Sequence, residues 1–437
     1  MLPDSFPFDA VIFDLDGTLV ATESYWVPAA RVGARRAFEE LGLDREIPTR
    51  DEWMSFVGLP LSEGFDMLFA DLEPSARLLV KQYCEEEEHF RLKAGDAALL
   101  PGVEEALAEL RGRGVRLGIA SNCADDYLAA MLENLGLAEY VEEARCLDTP
   151  QIHDKTGMVE DLLWTFGTRS AVMVGDRAGD RIAAHANGLP HVHVESGFAP
   201  EGEELGAEAS IADFGELLPR LEARVLWVAE TLDALALPPA GRPRSLGITG
   251  KSGSGKTLFA RDLARLVRGT GEVVAVVSLD DFERRVSPAR TGRTEELGPL
   301  EHLNRAFDVD TLREQVLEPH ARGDEVTLDR PHPTRPGSRL VTRVPAGALL
   351  VLEGLFLSHP RLRACLDRLL HLEVPGDLCL TRVAGRDLTL LGPEAVERVR
   401  ARFLPAQRAF EALYPPAERA DLVLDAANPL GPETLAI

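Results

Sequence analysis

Two acidic residues follow an apolar run near the start of the chain, where residues 11–19 read VIFDLDGTL and contain Asp14 and Asp16. Side chains two residues apart point to the same side of a strand, and open α/β sheets bind ligands at the carboxyl ends of their strands. Two neighbouring carboxylates repel each other unless a cation or a proton lies between them. The pair predicts a cation-assisted site or, in a simpler interpretation, a turn with two solvated acids.

Three further segments favour the cation-assisted site. Ser121 and Asn122 end a second apolar run, Lys155 lies in a glycine-containing segment, and Asp176 and Asp180 follow a third apolar run. If these ends meet at one sheet edge, the carboxylates can hold Mg²⁺, and the metal and the lysine can offset the repulsion between a phosphate and an anionic nucleophile. The chain has only five lysines, so a lysine in such a segment is less easily explained as a routine surface residue.

With these four motifs in this order, residues 8–220 resemble the haloacid dehalogenase superfamily of phosphatases. The resemblance implies that Asp14 attacks phosphorus to form an aspartyl-phosphate, and that Asp16 protonates the leaving oxygen and later activates water. It also implies that Ser121 and Lys155 bind the phosphoryl group. The Mg²⁺ ligands that it implies are Asp14, the backbone carbonyl of Asp16, Asp176 and Asp180.

The segment from about residue 20 to 93 interrupts the alternation of strand-like and helix-like stretches and is predicted to be mostly helical. It is similar to the small α-helical cap of the phosphoglycolate phosphatase and β-phosphoglucomutase-like branch. Such a cap excludes water from the site and favours small substrates over polymers. Residues 56–60 (FVGLP) are either a substrate-facing loop or a plain turn between helices. Their Leu59-Pro60 pair departs from the Ser-Arg that sugar-phosphate mutases tend to carry there.

A second candidate site is the glycine-rich segment 246–257, LGITGKSGSGKT, which follows a predicted strand and precedes a predicted helix. Its glycines allow backbone N–H groups to surround phosphate oxygens, and the helix N-terminus adds a favourable field. In this pattern Lys256 would reach the β- and γ-phosphates and Thr257 would reach Mg²⁺. A flexible glycine-rich loop is the simpler interpretation. The candidate ATP-binding residues are Gly250, Lys251, Ser252, Gly253, Ser254, Gly255, Lys256 and Thr257.

Two acidic strand ends come after this loop, at Asp280 and at Glu353. Further along, Arg382 and Arg386 are four residues apart on one face of a predicted helix, where they either close over phosphates or form a solvated face. Residues 245–425 resemble the uridine kinase and phosphoribulokinase group of P-loop kinases.

That second resemblance implies that Asp280 accepts the proton of the substrate hydroxyl. It also implies that Glu353 supports the metal and that the segment with Arg382 and Arg386 forms a lid over the bound ATP. Positioning and charge neutralisation would then supply most of the catalysis, with Lys256 at the transferred phosphate.

The acceptor region departs from the uridine kinase pattern. Residues 301–308 read EHLNRAFD where those kinases carry Asp-His-Pro…Phe-Asp, and Leu328-Asp329 stands where they carry Tyr-Asp. Because the aromatic residue is missing, we expect a small alcohol with a nucleoside- or sugar-like hydroxyl rather than uridine itself. The candidate residues of the acceptor pocket are Phe307, Asp308, His332 and Arg339. Each of them is explained equally well by plain packing or by a position on the surface.

Length and composition are those of a multidomain globular protein, with 437 residues, 45% hydrophobic and 27% charged. We expect an α/β protein with two Rossmann-like parallel-sheet domains, the first with an inserted helical cap and the second with a P-loop NTPase fold. The predicted boundaries are residues 1–222 for the hydrolase-like domain, 223–244 for a helical and proline-rich linker, and 245–437 for the kinase-like domain.

Charge and cysteine content narrow the function classes. The net charge is −25, and the first 245 residues carry 21 basic and 45 acidic residues, so a nucleic-acid partner is not expected. The five cysteines form no CxxC pair, which favours a reducing compartment. The N-terminal residues lack the pattern of a secretory signal and no run of 18 apolar residues occurs, so we expect a cytoplasmic protein without a membrane partner.

The sequence therefore predicts a bifunctional enzyme that uses Mg²⁺ and ATP: a phosphatase for a small phosphorylated metabolite joined to a small-molecule kinase. Two alternatives stay open. A polynucleotide end-processing enzyme has the same order of phosphatase and kinase, and a phosphatase with a regulatory ATP-binding module would tolerate the departures in the acceptor region. The oligomeric state is not predicted.

Overall fold

The chain is described by a computed structural model, which covers residues 6–195, 199–200, 202–284, 307–331, 338–391 and 404–430. Its internal contacts divide the described residues into two compact units. The first unit is Phe8–Leu221, and the second unit runs from Glu222 onward and includes residues 6 and 7.

A parallel sheet forms the centre of the first unit. Its strands are β1 (Ala10–Phe13), β2 (Arg116–Ala120), β3 (Glu143–Arg145), β4 (Ala171–Gly175), β5 (His191–Val194) and β6 (Ala209–Ile211). They lie in the order β3-β2-β1-β4-β5-β6, so β1 pairs with both β2 and β4. Every residue of β1 and β4 is buried, as expected for apolar strands of a parallel sheet that is covered on both faces.

An inserted group of helices follows β1. The helices are α1 (Glu23–Leu41), α2 (Arg50–Met54), α3 (Leu61–Leu68) and α4 (Pro74–Ala94). Helices α1 and α4 pack closely at Gly33, where an added Cβ would lie 2.5 Å from the backbone N of Cys84. Trp53 and Phe65 belong to an aromatic cluster that holds α2 and α3 together, with ring centroids 6.0 Å apart. The predicted helical insertion is confirmed.

The remaining helices of the first unit alternate with its strands. They are α5 (Val103–Gly112), α6 (Asp125–Asn134), α7 (Lys155–Phe166) and α8 (Ala178–Ala186). One further helix, α9 (Leu217–Leu235), begins in the first unit and ends in the second.

The second unit also contains a parallel sheet. Its strands and those of an antiparallel hairpin are β7 (Arg244–Gly250), β8 (Val274–Ser278), β9 (Val326–Pro331), β10 (Arg339–Val344), β11 (Leu349–Glu353), β12 (Arg368–Glu373) and β13 (Leu422–Asp425). The parallel strands lie in the order β13-β12-β7-β11-β8, and β9 pairs with β10 alone. Both units are thus α/β folds built on parallel sheets, as predicted.

Helices cover the sheet of the second unit. After α9 they are α10 (Lys256–Gly269), α11 (Val309–Leu312), α12 (Glu318–Ala321), α13 (Pro360–Arg363), α14 (Gly376–Leu391), α15 (Leu404–Leu413) and α16 (Pro416–Arg419), with a π-helical stretch Arg313–Leu317 between α11 and α12. None of the described helices combines the length and the apolar character needed to cross a membrane.

The helical part of residues 223–244, the segment predicted as a linker, is packed against the second unit. Trp227, Val228 and Leu235 of α9 are buried in one core cluster with Leu246 and Ile248 of β7. The amphipathic stretch is a packed helix because its apolar face covers the sheet, so much of the predicted linker belongs to the second unit.

Candidate active sites

Three candidate residues of the first unit lie directly beyond the ends of neighbouring strands. Asp14 follows β1, Ser121 follows β2 and Asp176 follows β4. The three strands are parallel and in register, with Phe13 of β1 opposite both Ile119 and Val174. The carboxyl ends therefore meet at one sheet edge, and all three side chains are buried there, at most 2% exposed.

Lys155 connects two carboxylates of this edge. It is the first residue of α7, whose N-terminus is capped by Asp154 through a 2.8 Å hydrogen bond from the Gly157 amide. Its Nζ lies 2.9 Å from Asp14 Oδ1 in an ion pair and 2.6 Å from Asp180 Oδ1. Burial lowers the pKa of Lys155, but these two carboxylates together raise it by more, so the ammonium stays charged.

Asp14, Asp176 and Asp180 form the metal-binding candidate. One carboxylate oxygen from each lies within 4.8 Å of the others, and the described part of the chain contains no other group of three or more possible ligands. Oδ2 of Asp14 is buried and has no hydrogen-bond partner in the described residues. Burial and then the charge of Asp180 raise the pKa of Asp14 to about 7, although Lys155 opposes them. Three closely spaced carboxylates whose negative charge is balanced only in part by one ammonium group fit a hard divalent cation such as Mg²⁺.

Asp16 is held by three hydroxyl groups. Its Oδ1 accepts hydrogen bonds from Tyr127 Oη at 2.5 Å, Thr22 Oγ1 at 2.9 Å and Tyr25 Oη at 3.2 Å. Burial raises the pKa of Asp16, while the hydrogen bonds from these hydroxyls lower it. Sequence reasoning missed both tyrosines. Tyr127 is 111 residues away from Asp16, so no local spacing could have indicated it.

The inserted segment reaches the same sheet edge. Asn122 Nδ2 donates to the Gly58 carbonyl at 3.0 Å, and Arg177 Nη1 donates to the Val57 carbonyl. The side chain of Arg177 is itself held by Glu203, 2.9 Å from its Nε. The segment FVGLP thus lies against the strand ends, in agreement with the interpretation as a loop that faces the site.

A cavity of about 490 Å³ lies beside Asp16, between the inserted helices and the sheet edge. Phe56, Gly58 and Leu59 of the inserted loop line one side, and Asn122 lines the other. This volume is within the range of small-molecule sites. The space is therefore suited to the remainder of a small substrate whose phosphoryl group lies near Asp14.

The glycine-rich segment of the second unit connects β7 to α10. Gly253 has φ +82°, and an added Cβ would lie 2.5 Å from the carbonyl oxygen of Cys379, so both conformation and space require glycine. Lys256 Nζ donates to the Lys251 carbonyl at 2.8 Å, while Lys251 Nζ donates to the Val374 carbonyl at 3.2 Å. Oγ of Ser254 is buried and unpaired within the described ranges. The loop therefore has donors that a phosphate group can use, and Gly250, Ser252 and Gly255 complete it.

The acidic candidates lie close enough to Lys256 for their charges to act on it. Burial lowers the pKa of Lys256, and the charges of Glu353 and Asp280 oppose this effect. Glu353 ends β11, which lies between β7 and β8, and its carboxylate is buried. Burial raises the pKa of Glu353, and the charge of Lys256 opposes this effect, as do the side chains of Ser278 and Thr257 to a smaller extent. Asp280 follows β8 and is exposed. The structure thus brings together four of the residues that the sequence predicted for phosphoryl transfer, namely Lys256, Thr257, Asp280 and Glu353.

The two predicted lid arginines have different surroundings. Arg382 is buried, and its Nη2 donates to the Ala427 carbonyl at 2.7 Å, which holds α14 to the segment after β13. Arg386 is exposed, and its charge acts on Lys256. Arg386 is the better placed of the two to meet a phosphate.

The acceptor candidates take part in packing and capping. Phe307 is buried and lies edge-to-face on Phe356, with ring centroids 6.1 Å apart. Asp308 caps α11 and also pairs with Arg284 at 3.0 Å. Arg339 forms an exposed pair with Asp329 across the β9–β10 hairpin, at 2.7 Å. His332 and residues 301–306 lie outside the described residues.

Comparison with known proteins identifies the first unit. Residues 11–194 match the haloacid dehalogenase-like hydrolase family. The chain is 31% identical over 229 residues to a phosphoglycolate phosphatase of Rhodospirillum rubrum, which covers 48% of this chain and 88% of that protein. The chain belongs to the haloacid dehalogenase-like hydrolases. A plasmid-encoded phosphoglycolate phosphatase of Cupriavidus necator is likewise 31% identical over 230 residues, covering 50% of this chain and 94% of that protein.

Residues 245–429 match the phosphoribulokinase and uridine kinase family. A uridine kinase of Schizosaccharomyces pombe is 28% identical over 164 residues, covering 36% of this chain and 35% of that protein. Both predicted resemblances are confirmed. The chain joins a phosphatase-family domain to a kinase-family domain.

Proposed function

We propose that this chain is a Mg²⁺-dependent phosphomonoester phosphatase that acts through an aspartyl-phosphate, joined to an ATP-dependent kinase for a small alcohol. The observation that carries the proposal is the buried ion pair of Lys155 with Asp14 and Asp180, next to the carboxylate of Asp176. An ammonium and three carboxylates at the ends of parallel strands form a site for a dianionic phosphate and a divalent cation.

In the phosphatase reaction, an oxygen of Asp14 forms a bond to phosphorus while the bond from phosphorus to the alcohol oxygen breaks. Asp16 gives its proton to that leaving oxygen. It then accepts a proton from water, whose oxygen bonds to phosphorus and frees the carboxylate of Asp14. Ser121 and Lys155 bind the phosphoryl oxygens.

Four groups would hold Mg²⁺ in this site, namely Asp14, the backbone carbonyl of Asp16, Asp176 and Asp180. When bound, the ion supplies positive charge against the combined charge of the nucleophile and the phosphate. The ammonium of Lys155, 2.9 Å from Oδ1 of Asp14, adds to this positive charge.

In the kinase reaction, Asp280 accepts the proton of the acceptor hydroxyl, whose oxygen attacks the γ-phosphorus of ATP and releases ADP. The glycine-rich loop and Lys256 bind the phosphates, and Arg386 closes over them. Thr257 and Glu353 would hold the Mg²⁺ of the nucleotide, since Thr257 lies near enough to Glu353 to lower the pKa of its carboxyl group. The catalysis comes from positioning the acceptor hydroxyl against the γ-phosphate and from neutralising the negative charge of the phosphates.

A screen with two readouts tests this proposal. Phosphate release is measured over a panel of sugar, nucleoside and short-chain phosphomonoesters, with Mg²⁺ or with EDTA, and ADP release is measured over the matching alcohols. We expect Asp14→Asn to abolish phosphate release and leave nucleotide binding intact, and Lys256→Ala to do the reverse. Near-normal hydrolysis by Asp14→Asn would refute the assignment of the nucleophile. Release of ADP that needs no acceptor alcohol would refute the kinase assignment.

A further inference from the structure

The cavity beside Asp16 carries an excess of negative charge. Its acidic lining residues are Asp16, Glu85, Glu88, Asp126 and Asp148, whereas Lys81 and His89 are its only basic lining residues in the described part of the chain. The two basic groups already have acidic partners. Lys81 Nζ lies 2.7 Å from Glu85, and His89 Nε2 lies 3.5 Å from Asp126.

Glu88 differs from the other acidic residues of this wall. It forms no hydrogen bond or ion pair with any residue that the structure describes, whereas Glu86 and Glu87 beside it both pair with Arg36 on the other side of the helix. Burial raises the pKa of Glu88, and the charges of Asp16, Glu85 and Asp126 raise it further. A carboxylate with these neighbours gains from a bound positive charge.

The fold fixes the direction in which Glu88 points. Lys81, Glu85 and Glu88 are spaced i, i+4 and i+7 on α4, so they share one face, and all three line the cavity. The neighbouring face, with Val80 and Cys84, is buried, and at Cys84 it packs closely against Gly33 of α1. Glu88 is therefore held towards the cavity by the packing of α1 on α4.

We propose that the alcohol portion of the phosphatase substrate carries a cationic amine, which Glu88 binds in this cavity. The inference rests on the proposed phosphatase function and specifies the substrate class of the same site. An organic cation fits better than a metal ion, because Glu88 is not part of any group of three closely spaced metal ligands among the described residues. The cavity volume of about 490 Å³ also leaves room for a ligand larger than an ion.

The same charges disfavour an anionic alcohol portion. A carboxylate placed in this cavity would face Glu88 and Asp16 with Lys81 already paired, so it would be repelled. Phosphoglycolate, the substrate in the names of the relatives, has such a carboxylate. The lining of this cavity therefore predicts a preference opposite to the one that those names suggest.

Two sets of phosphomonoesters whose members differ in the charge of the alcohol portion test the proposal. The small set is 2-aminoethyl phosphate, 2-hydroxyethyl phosphate and phosphoglycolate, and the larger set is glucosamine 6-phosphate, glucose 6-phosphate and 6-phosphogluconate. We expect kcat/KM of the full chain with Mg²⁺ to be highest for the ammonium member of at least one set and lowest for the carboxylate member. Equal values within both sets, or a preference for the carboxylate members, would overturn the inference.

Variants at Glu88 test whether this residue causes the preference for the ammonium substrate. We expect Glu88→Gln to lower kcat/KM for the ammonium substrate by about 10- to 100-fold, the loss of one charge-assisted hydrogen bond, and to change it less than about twofold for the neutral substrate. Glu86→Gln, on the same helix but outside the cavity lining, is the matched control and should change neither value. An equal loss for both substrates in Glu88→Gln would indicate a structural role and contradict the proposal.

Hydrolysis of p-nitrophenyl phosphate distinguishes a failure of the proposed role of Glu88 from a failure of the proposed phosphatase function. Asp14-dependent hydrolysis of this compound without charge discrimination in either set would refute the role of Glu88 and leave the phosphatase function standing. Absence of Asp14-dependent hydrolysis of every phosphomonoester tested would refute the phosphatase function, and the inference with it.

Discussion

The ammonium of Lys155 lies 2.9 Å from Oδ1 of Asp14, in the interior of the first unit, where both side chains are at most 6% exposed. The lysine is placed by the first turn of α7 and the aspartate by the end of β1, so two different elements produce the pair. A second carboxylate, Asp180, lies 2.6 Å from the same ammonium. The lysine therefore compensates two buried negative charges at once.

Removal of this ammonium should destabilise the first unit and impair hydrolysis. Lys155→Met leaves Asp14 and Asp180 buried without their partner, which costs about 3–5 kcal/mol for a buried ion pair. Because Mg²⁺ would bind the same carboxylates, we expect added Mg²⁺ to restore part of the lost stability. Thermal unfolding with and without Mg²⁺ measures the loss of stability and its partial recovery, and phosphate release measures hydrolysis. Lys93→Met, at an exposed position, is the control. Unchanged stability of Lys155→Met would contradict the role of the ion pair.

The tyrosines around Asp16 should affect turnover more than binding. Tyr127→Phe removes the 2.5 Å hydrogen bond to Asp16 Oδ1, the shortest of the three that orient this carboxylate. We expect kcat to fall about tenfold while KM changes less than about twofold. Tyr140→Phe, which removes a surface hydroxyl bonded to Glu104, serves as the control. A fall in kcat/KM that comes from KM alone would show that Tyr127 contacts the substrate instead.

Acid should destabilise the first unit through its buried histidines. His191 is fully buried, its two ring nitrogens lack hydrogen-bond partners within the described ranges, and burial, with the charges of His185 and His193, lowers its pKa well below the usual value. The unfolded chain binds a proton at about pH 6.5 and the folded chain does not, so stability is present above that pH and is lost as the pH falls below it.

Heat inactivation of the phosphatase at about pH 7.5 and pH 5.5 checks this expectation. His191→Phe, which cannot be protonated at this position, should reduce the difference between the rates of heat inactivation at the two pH values. His153→Asn, at an exposed position, should leave the difference as it is. A pH dependence that is the same in His191→Phe and in the unmodified chain would assign the acid sensitivity to other groups.

The sequence was sufficient to predict the strands that carry the sites. The apolar run before Asp14 forms strand β1, because a short apolar run that ends in acidic residues fits a strand buried on both faces of a parallel sheet. The motif residues then follow from strand order, since ligand sites of parallel sheets lie where the strands end.

Long-range contacts and side-chain directions were beyond sequence reasoning. The run of four glutamates at residues 85–88 gave no sign that Glu88 faces a cavity while Glu87 pairs with Arg36, because the packing of α4 on α1 decides this. The sequence could likewise not show how the helical part of residues 223–244 packs. An amphipathic helix between two domains has the same pattern whether it is a spacer or part of a core, and Trp227 shows that this one belongs to a core.

Stability of the second unit should depend on that helix. Arg224 in α9 is 1% exposed, its Nε lies 2.8 Å from Asp262 in α10, and its Nη1 donates to the Pro429 carbonyl. Arg224→Ala leaves the buried Asp262 unpaired and should cost about 3–5 kcal/mol.

Hydrogen exchange of the β7 amides at increasing urea concentration measures this loss. We expect faster exchange in Arg224→Ala and no change in Arg220→Ala, which removes an exposed arginine from the same helix. Equal exchange of β7 in Arg224→Ala and in the unmodified chain would mean that α9 adds little to the stability of the second unit.

The most direct test of the proposed chemistry is to detect the covalent intermediate. With p-nitrophenyl phosphate, whose leaving group needs no proton donor, Asp16→Asn should form the aspartyl-phosphate and fail to hydrolyse it. After acid quenching, mass spectrometry of the peptides should then show the mass of one phosphoryl group on the peptide that contains Asp14, and none in the Asp14→Asn/Asp16→Asn double variant. A phosphoryl group on another residue, or steady hydrolysis by the double variant, would contradict Asp14 as the nucleophile.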